Sequence, residues 1–127
     1  MVEKKLFGYP TFDENGEEIL STYDNEYRDM LMDVRVYRMA AGTTREFCRE
    51  GEEIAVLLLS GEVTFKWAEG EKTVSRKDVF TEGPWALHVS GGNKITVTAV
   101  KDTEILVQCT QNEKSFASRL YSPCLLY

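Results

Sequence analysis

The pentapeptide Val63-Thr64-Phe65-Lys66-Trp67 limits what this chain can fold into, because its apolar residues sit at every second position. A period of two puts Val63, Phe65 and Trp67 on one face of a strand and Thr64 and Lys66 on the other. Runs of the same kind recur along the sequence: Val34 to Tyr37, Ile54 to Leu59, Asp78 to Phe80, Ala86 to Val89, Ile95 to Val100 and Glu104 to Cys109. Ser60-Gly61-Glu62, Ala68 to Glu71 and Gly91-Gly92-Asn93 lie between them and read as turns. No segment keeps a helical period over three turns, although 113–121 has room for a short helix. Many short strands at even spacing predict an all-β sandwich or barrel.

The chain has 127 residues, the size of one domain with a sizeable core, and no repeat, low-complexity tract or linker divides it. The expected layout is a single domain over 1–127: an N-terminal arm over about 1–30, a barrel core over about 34–110 and a C-terminal extension over 113–127. The arm, with Leu6-Phe7, Gly8-Tyr9-Pro10, Asp13 to Gly16 and Ile19-Leu20, reads as a segment that adds edge strands or wraps the barrel. The apolar tail Leu120 to Tyr127 reads as a segment that something covers.

A net charge of −6 opposes binding to phosphate backbones and anionic lipid, so nucleic acid and membrane surfaces are not expected partners. The longest apolar run, Ile54 to Leu59, is far short of the ~20 residues that span a bilayer. Cys48, Cys109 and Cys124 are widely spaced and form neither a disulfide framework nor a zinc knuckle. With no signal-peptide pattern at the N-terminus, a cytoplasmic location is expected. The chain holds one histidine, His88, through which any His-dependent chemistry must run.

Small antiparallel barrels of this turn rhythm include the cupins, and two segments resemble the cupin motifs. The first motif frames a His-x-His pair and a glutamate between two glycines. Gly42 and Gly61 supply that frame, but Cys48 and Glu50 stand at the histidine positions and Ile54 at the glutamate position. In the second, Ser90-Gly91-Gly92 keeps the turn, while Ile95 replaces the histidine and Ala99 the asparagine. Isoleucine offers no lone pair, so the expectation is a barrel without metal or other cofactor, its ligand pocket lined by Cys48, Glu50, Ile54 and Ile95.

A closer resemblance runs through nearly the whole chain. Leu6 to Pro10 with Asp13 to Gly16, Ala41-Gly42-Thr43, Glu53 to Gly61, Asp78 to Val89 and Thr96 to Ala99 resemble the N-terminal cupin domain of bacterial 5-deoxy-glucuronate isomerases, grouped with the 5-keto-4-deoxyuronate isomerases. The resemblance implies a cupin jelly-roll barrel (a double-stranded β-helix) and a link to inositol and uronate catabolism. Those isomerases carry two cupin domains, with the metal ligands in the second, and this sequence resembles the first alone. No catalytic residue is therefore carried over.

A sugar-acid ketol isomerase (aldose–ketose isomerase) needs a base and an electrophile aimed at the substrate oxygens. Glu50 is the candidate base, and Arg45 or His88 the candidate electrophile. Each has a plainer reading: Glu50 as part of a solvated turn, His88 as a surface or structural histidine. Cys48, between Arg45 and Arg49, is placed either as a nucleophile or as a small buried residue in a vacated ligand position. Trp67, Trp85, Phe65 and Phe80 read as barrel core or as stacking surfaces for a sugar ring. Three functions follow: a non-catalytic module binding a small sugar acid, an isomerase with a non-standard site, or a partner subunit of a separate metal-bearing cupin. The resemblance to a double-cupin protein also implies self-association as a homodimer.

Overall fold

A computed structural model of the chain describes residues 12–23, 31–80 and 82–123. They form nine strands and no α-helix: β1 (Glu17–Ser21), β2 (Asp33–Met39), β3 (Thr44–Phe47), β4 (Glu52–Trp67), β5 (Gly70–Arg76), β6 (Trp85–Val89), β7 (Ile95–Ala99), β8 (Thr103–Gln111) and β9 (Arg119–Tyr121). Every pairing is antiparallel. One layer has the order β1-β2-β8-β4-β6-β9; β5 and β7 pair with the far half of β4, and β3 pairs with β7. The all-β jelly-roll expectation is met.

Strand β4 belongs to both layers, and this corrects the sequence reading. Ser60-Gly61-Glu62 is no hairpin turn; the strand runs through it. Its first half pairs with β6 and β8, and from Gly61 onward it pairs with β5 and β7. Gly61 has φ +104°, and a Cβ there would lie 2.5 Å from the Asp102 carbonyl oxygen and 2.7 Å from Thr103 Cα. Glycine is what lets the strand change layers this close to the start of β8.

The period-2 runs deliver the core between the layers. Ile54, Val56, Leu58, Val63, Phe65, Leu87, Val89, Ile95, Val97 and Ile105 are at most 1% exposed and form one cluster. Each such burial contributes roughly 1.5–3 kcal/mol, which makes this cluster the main stabilising element of the fold. Trp67 and Trp85 pack against this cluster from its edge.

Two further expectations are corrected. Residues 78–80 form a turn rather than a strand, because Asp78 Oδ1 accepts the N–H of Phe80 at 2.8 Å and diverts it from any ladder. Phe80 is 92% exposed and belongs to no core. Within 113–121 there is no helix; β9 lies against β6, and Leu120 packs on the core. The visible part of the extension thus folds back on its own barrel. Residues 17–21 of the arm form β1, an edge strand on β2. The arm's Leu6, Phe7, Tyr9 and Pro10, and the tail residues Cys124 to Tyr127, lie outside the described residues.

Candidate functional site

The alternation of β2 supplies the polar side of the barrel mouth. Tyr37 and Met39 join the core cluster, so Asp33 and Arg35, four and two residues before Tyr37, point to the same side. Val34 and Val36 are buried on the opposite face of the layer. Pairing of Asp33 with Cys109, and of Cys109 with Ile54, brings the start of β2, the end of β8 and the start of β4 together. The cleft they form is about 260 Å³ and is lined by Asp33, Arg35, Arg45, Cys48, Ile54 and Cys109 among others.

A linear chain of ion pairs runs across this mouth. Arg35 grips Asp33 with two bonds, Nε to Oδ1 at 2.8 Å and Nη2 to Oδ2 at 3.1 Å, and reaches Glu17 at 3.3 Å. Arg49 Nη2 donates to Asp33 Oδ2 at 3.3 Å and Nη1 lies 3.4 Å from Glu52 Oε1. Tyr23 Oη then donates to Glu52 Oε1 at 2.7 Å. The bond to Asp33 holds the Arg35 guanidinium even more firmly protonated than usual. Burial works against the Arg49 charge, but Cys109, Asp33 and Glu52 together outweigh it and raise its pKa. Burial, with a bond to Glu17, pushes the Tyr37 phenol upward, and burial with the Glu52 bond does the same for Tyr23. Burial also pushes the Cys109 thiol up to about 11, against the pull of Arg49.

The sequence-predicted site residues do not converge. Cys48 and Ile54 line the mouth cleft, with Cys48 exposed and Ile54 buried beneath it. Ile95 is fully buried in the core, where β7 meets β3 at Phe47. Glu50 is exposed in the turn before β4 and borders a different depression, with Gln111 and Glu113. Arg45 lies over Tyr37, its Cζ 4.4 Å from the ring centroid, and Nη2 donates to the carbonyl of Asn15. His88 points away from the barrel: Nε2 is 3.6 Å from Glu53 Oε1, and the ring lies 4.6 Å from that of Phe116. Base and electrophile candidates therefore stand on different surfaces.

The residues of this network, Asp33, Arg35, Arg49, Glu52 and Tyr23, were not proposed as site residues from the sequence, where Arg49 entered only as a neighbour of Cys48. Their one local signal is the spacing Asp33-x-Arg35-x-Tyr37, which marks a polar strand face. The donors needed for a divalent metal are not present where the cupin motifs would place them. Ile54 and Ile95 carry no lone pair, and Glu50 lies outside the cleft. Among the described residues no three His, Cys, Asp or Glu side chains are grouped to hold an ion.

A family model described as the KduI/IolB family matches residues 8–125. Among solved structures, the fold is similar to an IolB-like protein from Salmonella typhimurium LT2, with a TM-score of 0.76 and 18% identity over 88% of this chain and 43% of that one. A predicted oxalate decarboxylase from Thermotoga maritima superposes with a TM-score of 0.60 and 15% identity, over 75% of this chain and 78% of that one. A cupin superfamily protein from Desulfitobacterium hafniense DCB-2 gives 0.57 and 15%, over 82% and 83%. The chain thus spans less than half the length of the IolB-like protein. At these identities the likeness establishes the cupin fold and nothing about activity. No curated protein matches the sequence.

Proposed function

The chain belongs to the KduI/IolB family, and from that premise we propose that it is a metal-free, non-catalytic cupin domain that serves sugar-acid metabolism by binding a small sugar acid. One observation carries this reading. The barrel interior, where a cupin's metal and substrate would meet, is filled with hydrocarbon from Ile54, Ile95, Val56, Phe65, Leu87 and Val97, all at most 1% exposed. Above that plug, the charged groups of Asp33, Arg35, Arg49 and Glu52 bond to one another. A ketol isomerisation needs a base and an electrophile on adjacent carbons of one substrate. Glu50, Arg45 and His88 are too dispersed to act so. Among the described residues no helix is long and apolar enough to cross a membrane, and we place the protein's work in the cytoplasm.

Elemental analysis and a turnover assay test the reading together. The purified protein should carry far less than one equivalent of zinc, iron or manganese, and should not interconvert 5-deoxy-glucuronate and its keto isomer. Near-stoichiometric metal at the barrel centre would overturn the metal-free assignment. Metal-independent turnover abolished by Glu50→Gln would establish an isomerase instead.

A further inference from the structure

A larger cavity lies outside the barrel. It is a groove of about 740 Å³ between the turn that precedes β1 and the β2–β3 connection, within the ~300–1,000 Å³ typical of small-molecule sites. Asp13 and Asn15 form one wall, Ala40 and Thr43 the other, and Arg38 and Arg45 both face it.

These two arginines differ from those of the mouth. Arg35 and Arg49 each hold two carboxylates, whereas Arg45 makes no ion pair within 4 Å among the described residues. Its guanidinium is nonetheless held in place, by Tyr37 beneath it and by the Asn15 carbonyl that accepts one N–H. Arg38 is set in the same way, its Cζ 4.2 Å from the Phe12 ring centroid, although it also touches Glu104 at 3.3 Å. A guanidinium already held in place with N–H groups to spare loses little entropy when it grips a carboxylate through two parallel bonds.

The acids of the groove narrow the ligand class. Asp13 Oδ1 accepts the N–H groups of Asn15 and Glu17, and Asp102 Oδ1 accepts that of Ala41 at 3.0 Å. Both carboxylates are thereby positioned, and each has lone pairs left for hydroxyl donors. With Asp13, Glu14 and Asp102 against Arg38 and Arg45, the lining is net negative by one, which disfavours a phosphate dianion. A single carboxylate on a polyhydroxylated body satisfies both sets of groups.

We propose that this groove is a binding site for a polyhydroxylated monocarboxylate of the hexuronate type, with its carboxylate on Arg45 and its hydroxyls on Asp13 and Asp102. The assignment rests on the sugar-acid reading above but moves the site away from the cupin pocket. The ligand then sits against the rim, and the filled barrel serves as a rigid support for it.

Calorimetric titration of the full chain with D-glucuronate tests this, with neutral D-glucuronamide as the control ligand. One equivalent of glucuronate should bind. Affinity should fall at least tenfold for the amide, for Arg45→Ala, and for Ala40→Trp, which fills the groove from an exposed position. Because Arg45 also borders the mouth cleft, Cys48→Trp, which fills that cleft, is the discriminating variant and should leave affinity within twofold. Circular dichroism confirms that each variant is folded. If Cys48→Trp abolishes binding while Ala40→Trp does not, the groove is excluded and the sugar-acid reading stands. If the wild-type chain binds no glucuronate at millimolar concentration, both are overturned.

Discussion

Cys48 and Cys109 border the same cleft with opposite chemistry. Cys48 is exposed, while Cys109 is buried within the core cluster and its thiol is pushed up to about 11. Only the thiolate attacks electrophiles, so iodoacetamide at pH 8 should modify Cys48 well before Cys109 in the native protein. Peptide mapping by mass spectrometry separates them, and equal rates would contradict the burial. The same shift has a stability consequence. A thiol whose value is about 9 unfolded and about 11 folded keeps its proton longer in the native state. Its contribution is complete below pH 9 and is lost as pH rises from 9 through 11. Melting temperatures across that window should therefore fall less steeply in Cys109→Ala than in the wild type. Tyr23 and Tyr37 add to the wild-type slope in the same direction, so the difference between the two profiles is the measurement that matters.

Among the strands, β4 carries the architecture, and its change of layer depends on Gly61. An alanine there combines an unfavourable φ with a clash against backbone atoms of Asp102 and Thr103, which cannot swing aside. Gly42 offers the comparison, since its φ is +88° but nothing lies within 4 Å of an added Cβ. Gly42→Ala should cost about 1 kcal/mol for the backbone conformation alone, and Gly61→Ala more than about 3 kcal/mol. Urea unfolding of both variants decides the matter, and equal losses would mean that the close approach of β4 to β8 is not what demands glycine. These two residues are also the frame of the first cupin motif. The frame survives because the backbone path needs it, independent of any metal.

At the scale of the molecule, the outer surface of the main layer bears on assembly. The run Ile54 to Leu59 is apolar on both faces, the pattern of a strand covered on each side. Its inward residues fill the core, and outward Leu57 pairs across the layer with Leu106 and Ala86, beyond which lies exposed Tyr121. The rim of this patch carries Arg38, Arg119, Glu53 and Glu104, two charges of each sign, on a chain of net charge −6. This rim adds no net charge to oppose a like copy, and we propose the face as the contact of a two-fold homodimer. Light scattering coupled to size exclusion should give twice 14.5 kDa at micromolar concentration, and Leu57→Glu should halve it. A wild-type species of 14.5 kDa would rule the dimer out.

By itself the sequence determined what depends on near neighbours. The period-2 runs gave strands because side chains two apart share a face whatever lies opposite, and the loss of metal donors was readable at Ile54 and Ile95. Local signals also failed in local ways: Gly61 looked like a turn because glycine marks both turns and strand bends, and Asp78 hid a turn inside an apolar run. Tertiary structure alone decided which face of β2 turned inward, and so whether Val34 and Val36 or Asp33 and Arg35 met the barrel. It also joined Tyr23, Asp33, Arg49 and Glu52 into one network, and set Arg45 over Tyr37 beside Asn15. Those meetings depend on the register of strands as distant in sequence as β2 and β8, where Asp33 faces Cys109. A slip of one residue there would turn every side chain to the other face, and no local pattern records which register was taken.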